Sequence, residues 1–263
     1  MSLIAMKAAA LGVWFAVLFT LERIAPASPA PPDGRRLARN FGLWAVTALS
    51  TPALVLALAS LAQAHAPWTR PAALQGVAGL ALSLVALDLW TYFMHRAYHE
   101  VPVMWRLHAP HHLDERLDTS SAVRFHAGEV GLSAVFRLVP IAGLAIPLAH
   151  VALFETLLLA GAIFHHSNVR LPAPLERALS SVIVTPSIHW VHHHARRADT
   201  DANYAAVLSV WDRVFGTKSP TPRTPDMAIG VEGEAERGFW GLLVQPFTGR
   251  PAPAAVTPEG AGR

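Results

Sequence analysis

Long apolar runs constrain this chain most. Residues 3–21 are interrupted only by Lys7, residues 41–64 carry no charge, and residues 72–94 carry one acid, Asp88. Each run is near or above the ~20 residues that a helix needs to cross bilayer hydrocarbon. A fourth stretch, 130–164, is long enough for two segments and has Gly143 and Pro147 near its middle, so a helical hairpin is expected to turn there. Its Arg137 and Glu155 are expected to face protein rather than lipid. The first run has little basic flank beyond Lys7 and exceeds the apolar core of a secretion signal, so a retained helix is expected.

Composition agrees with that reading. Of 263 residues, 52% are hydrophobic and 15% charged, against roughly 25% charged in an average soluble chain. Such a chain is not disordered, and a plain soluble globule is disfavoured. The absence of cysteine excludes disulfides, thiolate metal sites, Cys-ligated iron–sulfur clusters and Cys nucleophiles. A net charge of +3 makes no case for a nucleic-acid partner.

Loop charge predicts orientation. Residues 22–40 hold Arg23, Arg35, Arg36 and Arg39, whereas 65–71 hold only Arg70. The positive-inside bias puts the first loop in the cytoplasm and the second outside. The third helix then ends inside near His95, the hairpin 130–164 leaves and returns, and 165–263 lie inside. The expected fold is an all-α integral-membrane bundle of three transmembrane helices plus a helical hairpin, with a cytoplasmic histidine-rich helical cap. Its regions are 1–94 (transmembrane helices), 95–217 (the histidine-bearing region with its hairpin) and 218–263 (a cytoplasmic tail). Pro and Gly mark loops at 26–34 and 216–225, and the Pro/Ala/Gly-rich end after Arg250 is expected to be disordered.

Fourteen histidines, about 5% of the chain, point to metal. Eight fall in three clusters: His95-x-x-x-His99, His108-x-x-His111-His112 and His189-x-x-His192-His193. On a helix, residues at i, i+3 and i+4 share a face, so each cluster is expected to aim two or three imidazoles at one point. Neutral imidazole suits iron, zinc, copper and nickel. Eight rings exceed the ligands of one ion, so two metals are the economical reading. His65, His150 and His194 read as ordinary surface or core residues. Asp88, Tyr92, His95 and His99 run along one helical stripe. Asp88 is expected to accept a hydrogen bond from a ligand histidine or hold the helix end, or else to pair with an arginine of a neighbouring helix.

These residues resemble the fatty acid hydroxylase superfamily, in particular its sterol desaturase-like branch. The resemblance runs from about Asp88 to Thr217. Trp105-Arg106-Leu107-His108 is similar to the family's entry to its second histidine box. Arg124-Phe125-His126-Ala127-Gly128-Glu129 resembles its Arg-x-His-Pro-x-Glu element, with Ala127 in the proline position. Phe164-His165-His166-Ser167-Asn168 resembles Phe-x-His-x-Asn, and Thr185-Pro186 precede the third box as in the family. Asn203-Tyr204 and Trp211-Asp212-Arg213-Val214-Phe215-Gly216-Thr217 resemble its closing signature, with Ala205 where glycine is usual.

The resemblance implies an integral-membrane enzyme with a non-haem di-iron centre that uses dioxygen and two electrons to hydroxylate or desaturate a lipid. It implies that His126 and His166 complete the ligand set, with His165 as the alternative to His166. Zinc is an ion that purification can exchange into such a site. Nearby carboxylates such as Glu129 are expected to balance charge or move protons, with an ion pair to Arg124 as the simpler role. The chain has no dinucleotide fingerprint, and too little sequence follows 217 for a fused haem or flavin domain, so a separate reductase or small redox carrier is expected. Arg196 and Arg197 are candidates to dock an acidic carrier or to anchor on the membrane surface. A membrane metal transporter is a competing reading, but transporters place ionisable groups near the midplane between helices. A zinc hydrolase is a third, disfavoured by the lack of carboxylates in the boxes and of a His-Glu-x-x-His pattern.

Overall fold

The structure is a computed structural model describing residues 3–29, 31 and 33–248. Its helices are α1 (Leu3–Ile24), α2 (Gly34–Ser50), α3 (Pro52–Ala64), α4 (Val77–Glu100), α5 (Pro102–His112), α6 (Ala127–Gly143), α7 (Leu148–His166), α8 (Ala173–Ser180), α9 (Pro186–His192), α10 (Arg197–Thr200), α11 (Val210–Val214) and α12 (Phe239–Thr248). Ala72–Leu74 and Thr119–Val123 form 3₁₀ turns. Among the described residues there is no strand, only two isolated bridges.

α1, α4 and α7 are each long and apolar enough to cross a bilayer. The second apolar run differs from the single straight span expected of it. Pro52 supplies no backbone N–H, and the chain breaks into α2 and α3, which meet at 45°. The hydroxyls of Ser50 and Thr51 donate back to the Val46 and Thr47 carbonyls at 2.7 and 2.9 Å, in the turn just before the break. The third run also starts later than its composition suggests. Residues 72–74 turn tightly, and a Cβ on Gly79 would lie 1.7 Å from the Leu74 carbonyl oxygen, so only glycine allows that approach.

The hairpin turns as expected, between Gly143 and Leu148, with Ala145 at φ 45°. Arg137 of α6 pairs with Glu155 of α7, so the two charges face each other across it. The apolar core lies between α3, α4, α6 and α7, around Ala59, Leu87, Ile141, Ile146 and Phe154.

The segment after 217 is more than a loose tail. Leu242 of α12 packs on Leu43 and Leu113. Glu236 accepts from Arg124 at 2.7 Å and from the Arg39 Nε at 3.0 Å. Apolar Phe239, Leu242 and Leu243 supply the reason: they cover the outer side of α2 and the α5 end. The end after Arg250, expected to be disordered, lies outside the described residues.

Candidate metal centre

The histidines come from the C-terminal parts of α4, α5, α7 and α9, with His193 at the C-cap of α9. Pro102 and Pro186 open α5 and α9 at positions where a missing N–H costs nothing. The structure brings nine of the ten candidate ligands into two groups. His95, His99, His108, His112 and His192 form one, and His111, His166, His189 and His193 the other. Within each group, one nitrogen per ring lies within 4.8 Å of all the others.

His95 and His99 stay together as expected, whereas the second and third boxes, each expected to aim at one point, divide between the groups. Helical geometry explains this. Residues four apart diverge by only about 40°, while neighbours diverge by about 100°. His108 and His112 therefore point together, and His111 turns to the second group. On α9, His189 and His193 point together, and His192 turns to the first.

Tautomers follow from the partners. A carbonyl or carboxylate oxygen only accepts, so the ring nitrogen facing it carries the proton. Nδ1 of His95 donates to the Tyr204 carbonyl at 2.7 Å, Nδ1 of His192 to the Ala202 carbonyl at 2.7 Å, and Nδ1 of His108 to Glu129 Oε1 at 2.8 Å. In the second group, Nδ1 of His111 donates to the Arg124 carbonyl at 3.2 Å and Nδ1 of His166 to the Ala162 carbonyl at 2.8 Å. Each of these five rings thus presents a bare Nε2 lone pair. The Nε2 atoms of His111 and His166 stand 3.1 Å apart with no proton between them. His192 Nε2 and both nitrogens of His99 are buried without a hydrogen-bond partner. Converging lone pairs repel unless a cation lies among them, so the donor set fits two cations held by neutral imidazoles.

Burial pushes His111, His112, His189, His192 and His193 well below the ordinary imidazole range, and neighbouring rings add to the effect. The rings are neutral at pH 7, as ligands must be. The sign of the pH dependence follows. Below about pH 6.5 the unfolded chain takes up protons that the fold refuses, so stability falls as pH falls, by up to about 1.4 kcal/mol per pH unit for each ring. Chelator-treated protein is expected to melt at markedly lower temperature at pH 5.5 than at pH 7, and metal-loaded protein to melt higher at both pH values while falling in the same direction, since neither folded form takes up the protons. A melting temperature of the chelator-treated protein that does not fall between pH 7 and pH 5.5 would contradict the burial of neutral rings.

The other candidates divide. His126 stands apart from both groups, contrary to the expectation from the resemblance. Its Nδ1 accepts the Gly128 N–H at 3.0 Å and its Nε2 donates to the Leu243 carbonyl at 3.1 Å, which leaves no lone pair for a metal. It caps α6 and ties α12 to it. His166 joins the second group, while His165 lies beside it, its ring 4.0 Å from that of His189.

Asp88 meets neither a histidine nor an arginine. Its Oδ2 accepts from the Leu208 N–H at 3.0 Å and from Trp211 Nε1 at 2.8 Å. The stripe it belongs to faces one segment throughout: Tyr92 bonds Thr217 at 2.9 Å, and His95 bonds the Tyr204 carbonyl. Asp88 therefore fastens the segment whose carbonyls orient His95 and His192. Asp212 does the same from within it, accepting the Tyr204 and Ala205 N–H groups at 2.8 and 3.1 Å.

Glu129 bonds His108, not Arg124, which turns instead to Glu236, Asn40 and the Pro110 carbonyl. Carboxylates on ligand histidines fix ring orientation and raise basicity. Glu129→Gln is expected to weaken metal binding by roughly 10–100-fold, read by competition with a calibrated chelator. His126→Ala is expected to leave the metal content unchanged. Loss of one ion in that variant would return His126 to the ligand set.

The backbone carbonyls of Ala202, Tyr204, Ala162 and Arg124 escape a reading by side-chain pattern. Their only trace in the sequence is indirect, in Asp88, Asp212 and the Asn203-Tyr204 pair that hold the segment in place. Both groups open on a cavity of about 390 Å³, whose wall includes His95, His108, His111, His166 and His189.

The sequence model of the family described as fatty acid hydroxylase matches residues 80–217, more than half of the chain. An ornithine lipid hydroxylase of Rhizobium tropici is 31% identical over 170 residues, covering 64% of this chain and 50% of that protein. The alkylglycerol monooxygenase of Homo sapiens is 35% identical over 151 residues, 57% of this chain and 31% of that protein. The lathosterol oxidase of Homo sapiens is 24% identical over 152 residues, 56% of this chain and 48% of that protein. The chain thus spans half or less of the length of these relatives. No solved structure matches.

Proposed function

The chain belongs to the fatty acid hydroxylase family, and from that premise we propose that it is a membrane-bound di-iron oxygenase that hydroxylates or desaturates an alkyl lipid. The observation that carries the reading is the pairing of two histidine clusters with a cavity lined mostly by apolar groups and reaching both of them. The names of the relatives, a lipid hydroxylase, an alkylglycerol monooxygenase and a sterol oxidase, lend it support.

His95, His99, His108, His112 and His192 would hold one iron, and His111, His166, His189 and His193 the other. Iron bound there supplies the activation of dioxygen and the cleavage of an unactivated C–H bond, which no side chain can perform. The chain's own residues do the rest. The carbonyls of Tyr204, Ala202, Ala162 and Arg124 hold the rings in one tautomer and orientation. The apolar wall, with Trp90, Met94 and Leu158, holds an alkyl chain against the histidines and excludes water. Glu129 Oε2 is buried without a partner at the cavity wall, where it can hold a proton while Oε1 keeps His108 aligned. Hydroxylation consumes one dioxygen, two electrons and two protons and yields one water. The electrons are assigned to a separate reductase or small redox carrier. The histidine end of the helices is proposed to face the cytoplasm, which the four arginines of 22–40 against one in 65–71 support.

The test is mass spectrometry of membrane lipids from cells producing the protein. A lipid that gains one oxygen or loses two hydrogens, only in air, is expected, and it is expected to vanish with His189→Ala/His193→Ala. A lipid profile unchanged by the iron-replete protein in air, with reductant supplied, would overturn the proposal.

A further inference from the structure

The cavity changes character along its length. Histidines and Glu129 form one end, and Val55, Trp90 and Leu158 line its apolar wall. Lys7, Arg137 and Glu155 also line it. They lie far from the metal centre. At 1.5 Å per residue, Arg137 stands ~12 Å along α6 from Glu129, and Glu155 stands ~16 Å along α7 from His166. Because α6 and α7 form an antiparallel hairpin with the histidines at its open end, both distances run the same way.

Three charges in helices of this kind are costly and are retained where they line a cavity or a pathway. Arg137 pairs with Glu155 across the hairpin. That pair would be enough to fasten α6 to α7. Lys7 is not needed for it: its ammonium donates to the Ala152 carbonyl at 3.3 Å and has no carboxylate within ion-pair distance among the described residues. Ala152 and Glu155 lie one turn apart on α7, which puts Lys7 beside the pair. At this end of the cavity two cations and one carboxylate leave one positive charge in surplus, with the apolar wall between them and the histidines.

Resting on the lipid-oxidation reading above, we propose that Lys7 and Arg137 receive the anionic, carboxylate-class terminus of a single alkyl chain whose other part lies against the histidines. The surplus cation attracts the anion, Glu155 keeps Arg137 oriented, and the wall between takes the methylenes. The arrangement is a ruler. At ~1.25 Å of advance per C–C bond, the 12–16 Å between the two ends corresponds to roughly ten to thirteen carbons. The oxidised carbon is set by counting from the charged end.

The experiment is equilibrium binding of radiolabelled stearate and stearyl alcohol to the full-length protein in detergent, which needs neither metal nor turnover. Stearate is expected to bind the wild type roughly tenfold or more tighter than the alcohol. Lys7→Gln is expected to remove most of that preference and leave the alcohol's affinity unchanged. The double variant Arg137→Gln/Glu155→Gln, which strands no buried charge, is expected to do the same. Equal binding of the two ligands by the wild type, or a preference that survives both variants, would overturn the anionic terminus and leave lipid oxidation standing. Failure of both ligands to bind would overturn this proposal and count against the lipid reading too.

Discussion

Replacing His189 and His193 together by alanine is expected to remove one bound metal ion, leave the other, and lower lipid oxidation on the order of a thousandfold or more. The second cluster has four rings, and the substitution leaves it only His111 and His166. The first cluster keeps all five of its rings. His192 sits between the two substituted positions, yet it belongs to the other centre because it points away from them around α9. The complementary variant, His95→Ala/His192→Ala, is expected to remove the other ion. Both are expected to be inactive, since the proposed chemistry uses the two ions together. Elemental analysis of purified protein beside a product assay checks this. Loss of both ions from either variant, or of neither, would contradict the division of rings between the clusters.

Asp114→Ala is expected to destabilise the protein by about 3–5 kcal/mol, because it strands buried positive charge. Asp114 is fully buried and follows His112 by two residues. Arg36 grips its two oxygens at 2.6 and 2.8 Å, and Ser121 and Asn40 donate to it at 2.9 and 3.1 Å. Burial alone would raise its carboxyl, but Arg124 and Arg36 outweigh burial and hold it below the usual carboxylate range. Without it, Arg36 keeps Asp118 but loses its bidentate partner, and Arg124 keeps Glu236. The effect reaches the metal site, because the carbonyl of Arg124 orients His111. A melting temperature lower by on the order of 10 °C is expected, together with weaker binding at the second cluster. Asp114→Asn, which keeps one acceptor, is expected to fall between. A melting temperature within a degree or two of wild type would show that Asp118 and Glu236 suffice.

The apolar runs made the bundle legible, since a run of some twenty apolar residues has few alternatives to a helix. The hairpin turn was legible from Gly143 and Pro147 for a similar reason. The break at Pro52 was visible as a residue but not as an angle. The histidine spacing marked out the rings that gather but not their division into two groups, because a box read as one face hides the divergence of adjacent helical residues. His126 looked like a ligand because the motif around it matched a family. The structure uses its nitrogens to cap α6 and bind Leu243, which sequence alone could not show, since α12 lies more than a hundred residues away. Asp88 stood out in the sequence as a lone acid in an apolar run. Its partners, Leu208 and Trp211, are contacts of the fold and leave no local signature. The carbonyls that set the histidine tautomers belong to the backbone, which every residue carries, and so no pattern marks them.

The most direct test of the central claim is to locate the metal. Crystals of the full-length protein, loaded with ferrous iron under reducing conditions, would be measured at the iron absorption edge. Two anomalous peaks are expected, one bounded by the rings of His95, His99, His108, His112 and His192 and the other by those of His111, His166, His189 and His193. A single peak shared by the clusters, or none within reach of their ring nitrogens, would contradict the two-centre account and the oxygenase chemistry built on it.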